Sequence, residues 1–233
     1  MSGPLSVLPV EGIGEVTPGT RLGEVIAERC RLEHGDVVVV TQKIVSKAEG
    51  RIVAVDEHDA AARRALAEGE AVRVLRRRGD LVITETRHGF VCANSGVDLS
   101  NVASGYAVLL PLDPDRSARR IREQLRRAQG VEVAVVVSDT FGRAWRRGVT
   151  DVAIGCAGIA GIVDLRGTRD ALGRELVATE VCVVDEIAAA ADLVMGKASK
   201  VPVAIVRGVD ASSLRDGSVR GEVVRPYGED LFR

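Results

Sequence analysis

Val133-Ala134-Val135-Val136-Val137 is a continuous apolar run that stops at once on Ser138-Asp139-Thr140. A short β-branched run of this kind reads as a buried strand. Polar groups delivered at the end of such a strand commonly carry function. Val37 to Val40 repeats the pattern and stops at Thr41-Gln42-Lys43. The spacing elsewhere is helical. After Pro18-Gly19, Thr20 is positioned to cap a helix bearing Leu22, Val25, Ile26 and Cys30, closed near Gly35. Asp113-Pro114 opens a second helix with the apolar stripe Ala118, Ile121, Leu125 and Ala128 and a stop at Gly130. Strands and helices therefore mix throughout, which predicts an α+β, mixed α/β fold with mixed sheets and flanking helices.

The remaining segments fill in that frame. The alanine-rich stretch from Glu57 to Arg78 consists of helix formers, with Gly69 breaking or bending it into two helices or one kinked one. Leu81 to Glu85 and Phe90 to Ala93 predict a hairpin across Arg87-His88-Gly89, followed by a turn-rich run from Asn94 to Asn101. Ala107 to Leu110 and Val203 to Val206 read as strands, and Asp185 to Met195 as a helix. Gly155, Gly158 and Gly161 permit close backbone packing. With no repeat and no low-complexity linker, residues 1–233 are read as one unit that can contain interleaved subdomains.

Composition removes several function classes. With 32 basic residues against 33 acidic ones the formal net charge is -1, and aromatic residues make up 3% of the chain. Neither a strong field for nucleic acid nor a base-stacking platform is available. Cys30, Cys92, Cys156 and Cys182 lie far apart, without zinc-site spacing, and read as buried thiols. His34, His58 and His88 form no cluster with them and receive no catalytic role. No apolar run reaches membrane-spanning length, and the expected location is the cytoplasm.

No G-x-x-x-x-G-K-[ST] sequence exists, and Gly12-Ile13-Gly14 is followed three residues later by Thr17 rather than Gly, so neither a Walker nor a Rossmann motif is present. Gly12 and Gly14 suit an ordinary turn or a close approach to a ligand. Two acids stand in hydroxyl- and amide-rich surroundings: Asp98, and Asp139 beside Thr140. Oxygen donors of this kind suit Mg²⁺ or Mn²⁺ with positions left for phosphate oxygens, whereas the bland readings are an Asx turn for Asp98 and a helix cap for Asp139. Lys47 suits either a phosphate or solvent. Arg143, Arg146 and Arg147 match an anionic substrate in bidentate geometry, or form a solvated charge run.

Several collinear segments together resemble the coenzyme F420-0:L-glutamate ligase family. They include Leu8-Pro9-Val10-Glu11-Gly12-Ile13, Thr41-Gln42-Lys43-Ile44-Val45-Ser46-Lys47-Ala48-Glu49-Gly50-Arg51, Asn94 to Asn101, and Leu110-Pro111-Leu112-Asp113-Pro114-Asp115. Ser138 to Arg146, Gly173-Arg174-Glu175-Leu176 and Asp185 to Ala191 extend the match over nearly the whole chain. The resemblance implies a compact ligase fold and a reaction in which GTP phosphorylates the terminal carboxylate of the deazaflavin F420-0. The amine of L-glutamate then attacks the acyl phosphate, giving GDP, phosphate and an amide, with further γ-glutamyl extension in some members.

By the same resemblance, Asp98 and Asp139 bind one divalent ion, Mg²⁺ or Mn²⁺, and Thr140 helps bind a second. The nucleotide lies against Ile13, Gly14, Glu15, Val16, Gln42, Lys47 and Asn101. The segment Met195-Gly196-Lys197 also belongs to the family's site, and some members carry an acidic metal ligand where this chain has Lys197. A homodimer is implied. Two-domain relatives append a flavin-binding domain after a segment resembling Arg225 to Phe232, and no flavin site is expected within these residues. The alternatives are a related carboxylate–amine ligase acting on another acid, and a noncatalytic module that binds nucleotide or deazaflavin.

Overall fold

A computed structural model of the chain describes residues 4–100, 102–196 and 199–231. Its strands are β1 (Ser6–Pro9), β2 (Val37–Thr41), β3 (Ile52–Ala54), β4 (Ala71–Arg78), β5 (Leu81–Thr86) and β6 (Val91–Ala93), then β7 (Tyr106–Val108), β8 (Ala134–Gly142), β9 (Val149–Ala157), β10 (Val163–Asp164), β11 (Glu180–Val181) and β12 (Val203–Arg207). The α-helices are α1 (Leu22–Ala27), α2 (Gln42–Ala48), α3 (Ala60–Gly69), α4 (Pro114–Gln129) and α5 (Val183–Met195).

The two valine runs form the centre of a five-stranded sheet of order β1-β12-β2-β8-β9. Only β2 and β8 run parallel; β1–β12, β12–β2 and β8–β9 are antiparallel. Val37 to Val40 and Val135 to Val137 are each 0% exposed, which requires cover on both faces of the sheet. That cover comes from α4, which packs on β8, β9 and α1, and from α5, which packs on β9, β1 and β12. Ile26, Ile121, Leu125, Val184 and Ala188 belong to the core so enclosed. Beside this layer lie the antiparallel sheet β4-β5-β6 and the pairs β3–β7 and β10–β11, making a mixed α+β architecture with several sheets and flanking helices. No helix among the described residues is long and apolar enough to cross a membrane.

Helix α4 shows how local sequence sets the packing. The Asp113 carboxylate accepts the Arg116 N–H at 2.9 Å, Pro114 occupies the first turn, and Gly130 closes the helix in the left-handed region at φ 69°. The first turn rests on β9 at Gly155, where an added Cβ would lie 2.3 Å from the Pro114 carbonyl carbon. Only glycine allows that approach.

Several expectations are corrected. Residues 71–78 are a strand, not a second helix: Val72 and Val74 flank Arg73 at a period of two, and pairing with β5 outweighs the helix propensity of Leu75 and Arg76 to Arg78. Thr20 does not cap α1; its hydroxyl donates to the Thr17 carbonyl and accepts the Thr17 N–H, closing a turn, and Arg21 takes the cap position. That helix ends at Ala27 rather than near Gly35. The polar segment after β2 is helical, and Ala128 lies outside the buried stripe of α4. Cys92 and Cys156 are buried, whereas Cys30 and Cys182 are half-buried.

Candidate active site

Because β2 and β8 are parallel neighbours with Thr41 opposite Ser138, they deliver Gln42 onward and Asp139 onward at the same end of the sheet. A cleft of about 1090 Å³ opens there. Its walls are residues 11–16, the start of α2, Asp98, the ends of β8 and β9, and the segment following α5. Ile13, Gly14, Glu15, Val16, Gln42, Lys47, Asp98, Asp139 and Thr140 all line it, so the structure brings together nine residues scattered along the chain. Asn101 and Lys197 lie outside the described residues. Arg143, Arg146 and Arg147 stand exposed at the tip of the β8–β9 hairpin and do not line the cleft.

The 11–16 segment is pinned from beneath. Ile13 and Val16 are buried in the core, while Gly12 and Gly14 take φ of 75° and 71°, a conformation open to glycine at little cost. Helix α2 supplies the basic wall. Gln42 is buried and its Oε1 accepts the Ser46 hydroxyl one turn on at 3.0 Å, which fixes the helix orientation. Lys43 and Lys47, also one turn apart, then share a face toward the cleft. Lys47 Nζ lies 2.6 Å from Glu15 Oε1, and Lys43 Nζ lies 2.9 Å from Asp98 Oδ2 and 2.8 Å from the Ser100 hydroxyl.

Asp98 is held by its backbone as well. Its N–H and carbonyl pair with Val108 at 2.9 Å each, and its Oδ1 accepts the Ser100 N–H at 2.7 Å, which is the Asx turn expected from the sequence. Burial works to raise its pKa, but the Lys43 ammonium and the Ser100 N–H outweigh it and hold the carboxyl below its ordinary 3.8. The Asx turn and a charged carboxylate facing the cleft thus coexist at one residue. The helix-cap reading of Asp139 fails, because Asp139 sits within β8 opposite Val152. Its charge reaches Cys92, whose thiol is pushed up to about 12 chiefly by burial and secondarily by Asp139.

Several polar wall residues escaped the sequence reading, among them Lys43, Asp151, Asp192, Ser199 and Lys200. Lys43 was marked only by its one-turn spacing from Lys47. Asp151 was marked only by being a lone acid in the otherwise apolar and hydroxylic run Val149 to Ile154. It is 3% exposed and takes the Ser138 hydroxyl at 2.9 Å on Oδ2 and the Thr140 hydroxyl at 2.5 Å on Oδ1.

Among the described residues no three His, Cys, Asp or Glu side chains converge to close a metal centre by themselves. The donors that face the cleft are nevertheless all oxygen: the Asp98 and Asp139 carboxylates and the Thr140 hydroxyl. That set fits a hard divalent cation whose remaining positions go to water or phosphate oxygens, the habit of Mg²⁺. Lys43 and Lys47 add positive charge beside these acids, Lys43 in direct contact with Asp98, and cations of this kind suit a multiply anionic ligand.

A cleft lined by acids, hydroxyls and a lysine pair at the ends of two central strands, without a Walker loop, is the candidate active site of this chain. The chain belongs to the F420-0:gamma-glutamyl ligase family, whose model matches residues 12–208. It is 43% identical to the coenzyme F420:L-glutamate ligase of Methanopyrus kandleri, covering 98% of each chain. Identity to the protein of that name from Methanothermobacter thermautotrophicus is 44%, over 98% of this chain and 99% of the relative. To that from Archaeoglobus fulgidus it is 39%, over 98% and 96%.

Proposed function

We propose that this chain joins L-glutamate to F420-0 at the expense of GTP. The observation that carries the reading is the convergence of Lys43 and Lys47 with Asp98, Asp139 and Thr140 around one cleft, in a chain whose near full-length relatives bear the ligase name. A carboxylate does not react with an amine at neutral pH, because its leaving group would be oxide. In the proposed route a carboxylate oxygen of F420-0 attacks the γ-phosphorus of GTP, and the bond to the β-phosphate oxygen breaks to release GDP. The glutamate nitrogen then attacks the acyl carbon, the bond to the phosphate oxygen breaks, and the nitrogen sheds a proton as the amide forms.

In this route the residues position and neutralise rather than react covalently. Lys47 and Lys43 bind phosphate oxygens, giving up Glu15 and Asp98 to do so. Gly14, with Ile13 and Val16 anchored beneath it, lets backbone approach the nucleotide beside Glu15 and Gln42, and Asn101 contacts the same ligand. Asp98 and Asp139 would hold one Mg²⁺ or Mn²⁺ and Thr140 would help hold a second, ions that when bound would supply positive charge against the phosphates. A homodimer and repeated γ-glutamyl addition belong to the same proposal.

The test is GDP release measured with F420-0 and L-glutamate supplied separately and together. Release that needs F420-0 and rises further with glutamate is expected. Release that responds only to a different acid favours the related carboxylate–amine ligase. Binding without release in folded protein leaves the noncatalytic module.

A further inference from the structure

Asp151 is nearly inaccessible, yet it lines the cleft and meets two hydroxyls from the neighbouring strand. In the antiparallel β8–β9 ladder it stands directly opposite Thr140, and Ser138, two residues earlier, shares that face. Its two oxygens are divided between them: Oδ2 takes the proton of the Ser138 hydroxyl and Oδ1 that of Thr140. Ser138 is 0% exposed and serves as an internal clamp on the carboxylate, whereas Thr140 is half-buried at the cleft wall.

A hydroxyl carries one proton and two lone pairs, and an ionised carboxylate only accepts. With its proton committed to Asp151, the Thr140 oxygen turns lone-pair density away from that bond and toward whatever occupies the cleft. A hydroxyl free to rotate points its proton outward in part of its conformations and repels a cation. We propose that Asp151, clamped by Ser138, is the positioning residue that makes Thr140 a competent oxygen donor to a divalent cation. This rests on the reading of Asp98 and Asp139 as ligands of one cation and of Thr140 as a ligand of a second, and adds to it a carboxylate that acts through the Thr140 hydroxyl.

The role is tested by titrating the full-length chain with MnCl₂ alone and reading free Mn²⁺ by electron paramagnetic resonance, with no turnover involved. Asp151→Ala and Thr140→Val are each expected to weaken Mn²⁺ binding about tenfold, the lower end of what loss of an outer partner costs a metal site. The double variant is expected to bind as weakly as Thr140→Val alone, because Asp151 acts through that hydroxyl. Unchanged affinity in Asp151→Ala, or losses that multiply in the double variant, overturn the role. Should Asp151→Ala fail to fold, Asp151→Asn combined with Ser138→Ala carries the same comparison. Asp98→Asn and Asp139→Asn separate the two claims. If they lose Mn²⁺ while Asp151→Ala does not, only the positioning role falls; if they and the parent chain bind none or bind alike, the cation reading falls and takes the role with it.

Discussion

Lys47 is held by a carboxylate that is itself 77% exposed, and an ion pair with so much water around one partner contributes little, about 0–1 kcal/mol. In the proposed route so weak a pair is expected to give up the ammonium to a phosphate. Lys47→Ala is expected to raise the KM for GTP roughly 10- to 100-fold with a smaller change in kcat, the pattern of lost ground-state binding. Glu15→Gln is expected to leave thermal stability nearly unchanged, and steady-state kinetics with thermal unfolding distinguish the two effects. Asp139→Ala is expected to reduce kcat by at least about a hundredfold while the protein remains folded, because charge neutralisation at the transferring phosphate is lost. Turnover preserved in a folded Asp139→Ala variant would remove Asp139 from the cation site. Asp98, with its pKa depressed, contributes stability that is complete above its ordinary 3.8 and is lost as pH falls through the lower folded value, so it stays ionised across the neutral range.

The hairpin β5–β6 and helix α4 brace the walls of the site, and both offer tests of the packing. His88 lies buried in the hairpin turn, its Nε2 within 2.8 Å of the Pro111 carbonyl, to which the neutral ring donates. Burial lowers its pKa despite bonds to Pro111 and Leu112 that favour the charged form. The unfolded chain then binds a proton before the folded one does, and stability is full above about pH 6.5 and declines as pH falls from there through the folded value. Melting curves between pH 8 and pH 5 are expected to show that decline in the parent and a shallower one in His88→Gln. Asp113→Ala should cost about 1 kcal/mol by removing the cap of α4. Gly155→Ala should cost more, about 1–3 kcal/mol or beyond, since its Cβ meets rigid backbone. Denaturant unfolding measures both. Elements such as β2, β8 and α4 were legible in the sequence because burial on both faces or a capped apolar stripe leaves a local pattern. Strand β4 was not, because the helix formers Leu75 and Arg76 to Arg78 mask the short Val72–Val74 alternation and the distant register with β5 decides for a strand. The same distinction applies to the site. Asp98, Asp139 and Lys47 sit beside recognisable turns and strand ends, whereas Asp151 matters only through its pairing with Thr140 across a hairpin.

For the molecule as a whole, the parallel contact of β2 with β8 creates the cleft by ending two central strands at one edge. The homodimer of the proposal is tested at this scale. Light scattering after size exclusion is expected to give twice the mass of the chain; a monomer at micromolar concentration would contradict the dimer. The activity itself is tested most directly by mass spectrometry of F420-0 incubated with the chain, L-glutamate, GTP and Mg²⁺ or Mn²⁺, with GTP omitted in the control. A product heavier by one or more glutamyl units, formed only with GTP, is expected. Unaltered F420-0 in the presence of folded, metal-supplied protein would contradict the ligase reading.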